Sequence, residues 1–412
     1  MGLNRGVAVV GAGMTRFHHK IHADKTGREI FVEAAIEAVD SVDNGLELGG
    51  VESIFVGNFS NEVFEKQSHT GAMMADWLGI NPKPAVRVEG ACASSGVAFN
   101  LGVQSIASGL YDVVLVGGFE KMRSQTTEQV TDTLAMAADA SYEASVGFTF
   151  PGLYASMATA YFHKYGARWE ELAAVTVKNH KNGALNPKAH FQSDIMSTAV
   201  KAGEGKGVKF KDELEFLSSS FNPVVAHPLR LFDCCPVSDG AAVIILAGED
   251  VARRFTDTPV MVAGIGQASD TLALHDRQDF ISMRATRVAA ENAYRLAGLS
   301  TKEIDVADVH DCFTIAEVIA TEDLGFFPKG QGGKAAVEGV TGLKGDKPVN
   351  ADGGLKAKGH PVGATGAAMA YEIFKQLRGE AGDHQVAGAE VGLAQNVGAA
   401  GATVTVQIFR RG

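Results

Sequence analysis

The order of apolar and glycine-rich segments in this chain occurs twice. The run VAVVGAG from Val7 predicts a buried strand that ends in glycine turns, and VMVAGIG from Val260 repeats it. The next predicted strand follows at a similar distance, since Ile54 lies 47 positions after Val7 and Val306 lies 46 positions after Val260. One hydrophobic core stops growing at about 250–300 residues. Two equivalent halves therefore account for the 412 residues.

In both halves, predicted strands alternate with predicted helices. This alternation is typical of parallel βαβ units in which helices cover both faces of a sheet, so the sequence predicts an α/β fold. The predicted strands are 7–13, 52–57, 85–90, 112–118, 238–248, 260–266 and 304–310, with two more in 389–409; the predicted helices include 28–42, 66–79, 281–298 and those that follow Cys92 and His360.

The alternation is lost between residues 120 and 227. This stretch carries the helical patterns 154–166 and 169–181 but few strands, which predicts an inserted loop domain lying over the sheet. The predicted units are a first half of residues 1–119 plus 228–250, an insert of 120–227 and a second half of 251–412.

Charge and hydropathy exclude two classes of partner. The net charge is −11 and the chain has no polybasic tail, which argues against nucleic acid. No apolar run approaches the roughly 20 residues that span a bilayer, and the N-terminus lacks the apolar region of a signal peptide. The sequence therefore predicts neither a nucleic-acid partner nor a membrane partner.

Cysteine usage is sparse, with four residues in the chain. Such usage fits a reducing compartment and predicts a cytoplasmic location. No CxxC pair occurs, and His18, His19 and His22 lie in a polar turn region, so no metal site is predicted. The cysteines are Cys92, Cys234, Cys235 and Cys312, of which Cys234 and Cys235 are expected to pack at the entry to a core strand.

The segment VVGAGMTR is compared with a dinucleotide-binding fingerprint. Such a fingerprint needs a third glycine where Arg16 stands, and an acidic residue at the end of the next strand. Neither condition is met, so we interpret the segment as a strand followed by a turn.

Cys92 stands where a strand ends and a helix of small residues begins, in VRVEGACASSGVAFNLGVQSIASG (86–109). A helix N-terminus carries about half a positive charge and unpaired N–H groups, and both favour a thiolate. We therefore consider Cys92 a candidate nucleophile. The alternative is an inert buried cysteine, a common role for a free thiol.

Three other segments carry polar groups to comparable places. KGHPVGATG places His360 between glycines before a helix of the second half, at a position equivalent to Cys92, so the two side chains are expected to converge. VHDCFT ends a core strand with His310 and Cys312, and strand ends are where α/β proteins bind ligands. NVGAAGAT (396–403) offers turn amides that could face an oxyanion.

GACASS, VHDCF, GGLKAKGHPVGATG and NVGAAGAT together resemble the thiolase superfamily. They are most similar to the branch typified by the thiolase domain of sterol carrier protein x (SCP-x) and its bacterial and archaeal relatives. The resemblance spans nearly the whole chain, with the motifs in family order. It implies the thiolase fold: two pseudo-symmetric βαβαβαββ halves in a five-layered αβαβα arrangement, with an inserted loop domain.

The resemblance also implies a role for each motif residue. Cys92 would be the acyl-accepting nucleophile, and His360 would take its proton and help bind a thioester oxygen. Cys312 would be the second acid/base. His310 would hold a thioester oxygen in a first oxyanion site, and the N–H groups of Cys92 and Gly398 would form the second. Ordinary thiolases carry their second cysteine in the closing glycine turn, where this chain has Asn396; the presence of Cys312 implies that the base has moved to another strand end.

The implied activity is thiolytic cleavage of a 3-oxoacyl-CoA, or the reverse Claisen condensation, through an acyl-cysteine. Coenzyme A would be a co-substrate, with no tightly bound cofactor, and the insert would supply much of its pocket. Met157 would line the acyl tunnel, or simply pack. Lys178 and Lys181 begin a lysine-rich stretch, 178–211, that is either a solvated face or a phosphate-facing loop.

Relatives in this branch are dimers, and they often act with a small partner that bears a zinc ribbon and an OB fold. The acyl group is left open: acetoacetyl-CoA, or a larger, branched or aryl acyl-CoA such as benzoylsuccinyl-CoA. Two alternatives are retained. One is a retro-aldolase or another condensing enzyme on the same fold, and the other is a non-catalytic CoA-binding subunit of an assembly. The joint presence of Cys92 and Cys312 favours thiolysis over both.

Overall fold

A computed structural model describes residues 2–412. Within that range, helices and strands alternate in both halves, as the sequence predicted. The strands are β1 Val7–Met14, β2 Ser53–Gly57, β3 Ala85–Val88, β4 Val113–Glu120, β5 Val224–Ala226, β6 Leu229–Arg230, β7 Gly240–Gly248, β8 Val260–Ser269, β9 Val306–Val309, β10 Val391–Gly398 and β11 Thr403–Arg411. The α-helices are α1 Gly27–Asp40, α2 Asn61–Phe64, α3 Thr70–Trp77, α4 Ser94–Ala107, α5 Thr127–Ala135, α6 Phe150–Tyr165, α7 Trp169–Gly183, α8 Ile195–Glu204, α9 Glu213–Ser218, α10 Glu249–Ala252, α11 Arg284–Ala297, α12 Thr314–Asp323, α13 Gly332–Val337, α14 Gly354–Ala357 and α15 Thr365–Arg378.

The sheet shows the repeat directly. Its strand order is β3-β2-β4-β7-β1-β8-β11-β10-β9, and β1 meets β8 through two residue pairs, Ala8 with Met261 and Val9 with Val260. β2 runs parallel to β3 and β4, while β7 is antiparallel to β4 and to β1. The second half repeats this order outward from β8, with β11, β10 and β9 in turn. A single parallel bridge between Ala307 and Val349 occupies the position that β3 has in the first half.

Helices cover both faces of each half-sheet. As a result, every residue of β1 is buried. Val7 and Val9 pack in one cluster with residues of α4 and α15, whereas Ala8 and Val10 pack with residues of α1 on the other face. α4 and α15 contact each other between the half-sheets, α1 covers the outer face of the first, and α11 packs on β8 and β11 of the second. These contacts build the αβαβα layering.

The glycines of the two repeated runs lie inside strands, not in turns. β1 continues to Met14 and β8 to Ser269, beyond the predicted ends. A Cβ at Gly13 would lie 2.3 Å from the carbonyl oxygen of Ala34 in α1, and one at Gly266 would lie 1.9 Å from that of Ala289 in α11. The glycines therefore serve close strand–helix packing.

The insert lies between the end of β4 and the start of β7 and carries α5 to α9. Within this stretch, β6 pairs with β5. The predicted boundaries of the two halves and of the insert stay predictions. α7 packs against α12, α13 and α14 of the second half, which fixes the insert over one end of the sheet. No helix within residues 2–412 has both the length and the apolar character to cross a membrane.

Candidate active site

Cys92 sits in a 3₁₀ turn, Ala91–Ala93, immediately before α4. Ala91 has a φ of 51°, a left-handed conformation that is uncommon for alanine and is concentrated at functional sites. Ser94 holds the turn, since its hydroxyl accepts from the amide of Gly90 at 3.1 Å and donates to the carbonyl of Ala91 at 2.6 Å. This anchored turn holds Cys92, which lines a cavity.

The small residues of α4 allow it to pack closely against α15, the helix that follows His360. A Cβ on Gly366 of α15 would lie 2.3 Å from the amide nitrogen of Gly96 in α4. Ser95 also accepts from the amide of Ala367 at 3.0 Å. The helix starts of the two halves are thereby held side by side.

This packing brings the two halves together at one point. The sulfur of Cys92 and one ring nitrogen each of His310 and His360 lie within 4.8 Å of one another. The two imidazoles meet edge to face, with centroids 5.0 Å apart and planes at 83°. The convergence that the repeat predicted is therefore present.

The hydrogen bonds of His360 identify its tautomer. Its Nδ1 lies 2.7 Å from the hydroxyl of Thr365, which itself donates to the carbonyl of Pro361 at 3.0 Å. A hydroxyl has one proton, so Thr365 accepts from Nδ1–H. The neutral ring therefore carries its lone pair on Nε2, the nitrogen that can take a proton.

His310 has the opposite arrangement, imposed by Asn396. The amide nitrogen of Asn396 donates to the carbonyl of Cys92 at 3.0 Å and lies 3.2 Å from Nδ1 of His310. Because a carbonyl only accepts, this atom is the NH₂ group, and Nδ1 must accept from it. Nε2 then carries the proton, and this buried N–H has no partner among residues 2–412. It is a donor available to a substrate oxygen.

All four cysteines line one cavity of about 170 Å³. The insert forms part of its wall through α5 and the start of α6. Cys234 and Cys235 therefore face the cavity in addition to marking the entry to β7, a placement that the sequence analysis did not predict. The lining residues are Cys92, Met122, Thr131, Leu134, Phe150, Pro151, Cys234, Cys235, Pro236, Val237, Cys312, Phe313, His360, Val362 and Ala399.

The turn after β10 supplies an amide to Cys92, and that amide belongs to Ala399. Ala399 has a φ of 55°, the second left-handed alanine beside the sulfur. Gly398 is the last residue of β10, and a Cβ there would lie 2.3 Å from the carbonyl oxygen of Gly90. The sequence pointed to this turn but not to Ala399; its place directly after the glycine was the available signal.

Burial, not the helix terminus, dominates the electrostatics of the site. Desolvation raises the pKa of Cys92 to about 12, against the opposing effect of the Ala399 amide. Desolvation lowers the pKa of His360 to about 3, and the nearby ammonium of Lys358 lowers it further. Both shifts favour a neutral thiol beside a neutral imidazole. Burial therefore opposes the thiolate that the helix terminus favours, because a buried sulfur loses more solvation than the turn amides return.

Asp311 of the HDCF motif has a structural role. Its carboxylate accepts from the amide of Leu355 at 2.6 Å and from the side-chain amide of Asn179 at 2.6 Å. It therefore ties β9 to the loop that leads to His360 and to α7 of the insert. His310 and Cys312 on either side are held in place by this clamp.

The residues proposed for CoA need revision. Lys178 is buried, and its ammonium donates to Glu317 at 2.5 Å and to the carbonyl of Val349 at 2.8 Å, so it has internal partners rather than a phosphate. Met157 is wholly buried in the main hydrophobic cluster and is not part of the catalytic cavity lining. Lys181 lines a separate groove of about 960 Å³ between α7 and residues 336–345, which shares no lining residue with that cavity.

A second groove, of about 580 Å³, follows the outer side of α6. It begins at Gly152, next to Phe150 and Pro151 of the catalytic cavity, so α6 connects the two. Small side chains floor this groove, and two histidines border it. Its lining residues are Gly152, Ala155, Ser156, Thr159, Ala160, His163, Ala226, His227 and Phe280.

Three histidines cluster away from the catalytic cavity. They are His18, His19 and His190, whereas His22 turns aside to bond the carbonyl of Arg16 at 2.8 Å. The rings of His18 and His19 are stacked with planes at 11°. One ion cannot lie in the planes of two stacked imidazoles at bonding distance, so we assign no ion to this cluster.

Comparison with family models gives two matches that together span most of the chain. The model described as "Thiolase, N-terminal domain" matches residues 7–250, and "Thiolase C-terminal domain-like" matches residues 266–411. The first match runs through the insert and ends just after β7. The second match begins inside β8.

Three curated relatives align over nearly the whole chain. Acetyl-CoA acetyltransferase of Methanothermobacter thermautotrophicus is 45% identical, with 99% of this chain and 100% of that protein covered. Benzoylsuccinyl-CoA thiolase subunit BbsB of Thauera aromatica is 32% identical, with 94% and 92% covered. Sterol carrier protein 2 of Bos taurus is 31% identical, with 100% of this chain and 73% of that protein covered.

Solved structures share the fold at lower identity. The Ltp2–ChsH2(DUF35) aldolase superposes with a TM-score of 0.78 at 23% identity, covering 98% of this chain and 97% of that one. Human mitochondrial 3-ketoacyl-CoA thiolase in complex with CoA superposes with a TM-score of 0.71 at 19% identity, covering 100% and 99%.

Proposed function

The chain belongs to the thiolase family of acyltransferases, and from that premise we propose that Cys92, His360, His310 and Cys312 carry out thiolytic cleavage of a 3-oxoacyl-CoA, or its reversal. The observation that carries these roles is the meeting of Cys92, His310 and His360 within 4.8 Å. A sulfur nucleophile, a basic imidazole nitrogen and an unpartnered N–H donor meet there, and Cys92 and His360 line the cavity. Acyl transfer through a covalent thioester needs these three groups.

The first step is attack on the 3-keto carbon. Nε2 of His360 takes the Cys92 proton as the sulfur bonds to the carbon, so the thiolate forms only in concert with the attack. The keto oxygen becomes an oxyanion, and the amides of Ala399 and Cys92, which already bond the sulfur, are placed to stabilise it. Gly398 remains the alternative amide donor implied by family resemblance.

The second step breaks the bond between C2 and C3. Its electron pair passes into the shortened thioester as an enolate, whose oxygen is stabilised by Nε2–H of His310 and by protonated His360. Cys312 donates its proton to C2 and becomes a thiolate. CoA then enters, gives its thiol proton to Cys312 and attacks the acyl group on Cys92. The leaving Cys92 sulfur recovers its proton from His360, which restores the resting site.

The cavity favours a small, uncharged acyl group. Its volume is about 170 Å³, and no lysine or arginine of the described part of the chain lines it. A carboxylate-bearing substrate such as benzoylsuccinyl-CoA would bury its charge without a cation, which is costly. Acetoacetyl-CoA or another short 3-oxoacyl-CoA is the substrate we propose, in keeping with the acetyl-CoA acetyltransferase at 45% identity.

For coenzyme A we propose the groove along α6 in place of Lys178 and Met157. The pantetheine arm would pass Phe150 and Pro151 to reach Cys92, and the nucleotide would lie over Thr159 and His163. The small side chains on this side of α6 leave room for the arm. CoA would remain a co-substrate that leaves after each turnover.

We also propose assembly and location. β3 is an edge strand with one side unpaired, which supports a homodimer formed across that edge. A small zinc-ribbon and OB-fold partner is supported by relatives whose names include a subunit and a DUF35 component. Four free cysteines support a cytoplasmic location.

Acyl trapping tests the proposed roles. After brief exposure to acetyl-CoA, peptide mass spectrometry should find the acetyl group on Cys92 in the wild-type protein and none in C92S. C234S is the matched control, since Cys234 lines the same cavity, and it should acylate normally. C312A should acylate yet fail to turn over. Acetylation of Cys234 with Cys92 unmodified, or full turnover by C312A, would refute the assignment and favour another condensing or retro-aldol reaction.

A further inference from the structure

Tyr154 lies beside both Cys312 and the turn at Ala399, and it belongs to none of the sequence motifs. It lies in α6 with its side chain wholly buried. Its hydroxyl donates to the carbonyl oxygen of Ala399 at 3.2 Å and lies close enough to the thiol of Cys312 to affect the pKa of that thiol. Its ring stacks on Phe313, the residue after Cys312, with centroids 4.7 Å apart and planes at 27°.

A hydroxyl has a single proton for these two neighbours. While Cys312 is a thiol, its S–H can donate to the oxygen of Tyr154, whose own proton goes to the carbonyl of Ala399. Once Cys312 has given its proton to C2, the buried thiolate needs a donor, and the hydroxyl can reach it by rotating about its C–O bond. Other titratable groups that face Cys312 are Cys92, Cys235 and Asp311, and each of them disfavours a thiolate there.

The turn does not depend on Tyr154 alone. Arg277, which is buried behind it, donates to the carbonyl of Ala400 at 2.5 Å. The turn therefore stays anchored when the hydroxyl leaves Ala399. Tyr154 itself does not ionise, because burial holds its pKa well above the ordinary range. Its contribution is a hydrogen bond and not a proton transfer.

We propose that Tyr154 is a positioning residue that stabilises Cys312 in both protonation states by moving one hydroxyl proton between Ala399 and the sulfur. This inference rests on the proposed role of Cys312 and adds a residue to it. In the protonation step, the S–H bond of Cys312 breaks and a C–H bond forms at C2. Tyr154 keeps its own proton throughout.

The test is Tyr154→Phe, which retains the ring on Phe313 and removes the hydroxyl. The readouts are exchange of the acetyl-CoA α-protons with deuterated solvent, which requires Cys312, and acetylation of Cys92 by 4-nitrophenyl acetate, whose leaving group departs as an anion and needs no proton from Cys312. Exchange should fall by about 10- to 100-fold, the loss expected for a hydrogen bond to a charged group. Cys92 acetylation should stay within about threefold of the wild-type rate.

Tyr161→Phe is the matched control, because Tyr161 lies in the same helix, is equally buried and donates to Glu322 at 2.5 Å, away from the cavity. It should lower the melting temperature without changing exchange.

In a C312S background, Tyr154→Phe should lower the exchange rate much less than it does in the wild type, since both substitutions act through the atom at position 312. Undiminished exchange in Y154F, equal losses of exchange and acetylation, or an undiminished effect in C312S would overturn the inference. Exchange by C312A at the wild-type rate would instead refute the role of Cys312 itself.

Discussion

At the scale of single residues, Asn396 contacts both the backbone of Cys92 and the ring of His310. One NH₂ group bonds the carbonyl of Cys92 and Nδ1 of His310, so it positions the nucleophile and orients the donor together. In ordinary thiolases this position carries the second cysteine, whereas here it carries an amide. The amide at this position determines which nitrogen of His310 holds the proton.

Replacing Asn396 should therefore impair the enolate step through His310. N396L removes the donor, and we expect kcat to fall by about 100- to 1000-fold, in line with the loss of an oriented oxyanion donor. N396D should be worse despite its similar shape, because a carboxylate would hold the proton on Nδ1 and leave Nε2 without one. Steady-state kinetics with acetoacetyl-CoA and CoA measure this, with thermal melts to confirm folding. Equal activity of N396D and the wild type would contradict the assigned tautomer.

The protonation state of Cys92 makes a separate prediction at this scale. Because burial raises its pKa to about 12, the thiolate fraction should grow with pH throughout the accessible range. The logarithm of the rate of Cys92 alkylation by iodoacetamide should rise by about one per pH unit from pH 6 to 10. A preformed thiolate–imidazolium pair would instead give a rate that is already level at pH 6. Site-resolved mass spectrometry distinguishes Cys92 from the other three cysteines.

At the scale of elements, α6 contributes a different face to each of two sites. Its buried face carries Tyr154, which donates to the carbonyl of Ala399, and its outer face floors the groove proposed for CoA. The predicted helix began at residue 154, but α6 starts at Phe150, with Pro151 in its first turn, where proline is well tolerated. The four extra residues bring the helix start to the cavity wall.

Thr159→Glu tests the CoA groove on this helix. Thr159 is exposed, so the change should fold, and the added carboxylate should repel the phosphates. We expect KM for acetyl-CoA to rise about tenfold, equivalent to about 1.4 kcal/mol. The rate with the N-acetylcysteamine thioester, which lacks the nucleotide, should change less than about twofold.

V200E is the control for this experiment, since Val200 is exposed on α8 outside the groove. It adds the same charge to the same insert. It should leave unchanged both the KM for acetyl-CoA and the rate with the N-acetylcysteamine thioester. A normal KM in T159E, or an equal loss with the truncated thioester, would remove the nucleotide from this groove.

At the scale of the whole molecule, the active site is made by neither half alone. The first half supplies Cys92, while the second supplies His310, His360 and Asn396, and the insert closes the cavity with α5 and α6. The half-sheets meet through only two residue pairs of β1 and β8, so the packing of α4 on α15 holds the site in register.

The edge strand β3 carries the prediction for assembly. Val86 is 48% exposed there, and V86K should discourage edge pairing by placing a charge on it. Light scattering after size exclusion should show a dimer for the wild type and a monomer for V86K. V225K is the control, because Val225 is 47% exposed on the short strand β5 of the insert. A dimeric V86K, or a monomeric wild type, would contradict assembly through β3.

The sequence by itself determined the repeated order of strands and helices, the stretch where that alternation is lost, and the equivalent placement of Cys92 and His360. It could do so because strand and helix periodicities are local, and because two equivalent units must place Cys92 and His360 at equivalent ends. Only the tertiary structure decided which nitrogen of each histidine carries a proton, that burial raises the pKa of Cys92, and that Lys178 is an internal cation. Those properties depend on burial and on partners remote in sequence, such as Asn396 for His310 and Ala399 for Tyr154, which no local pattern encodes.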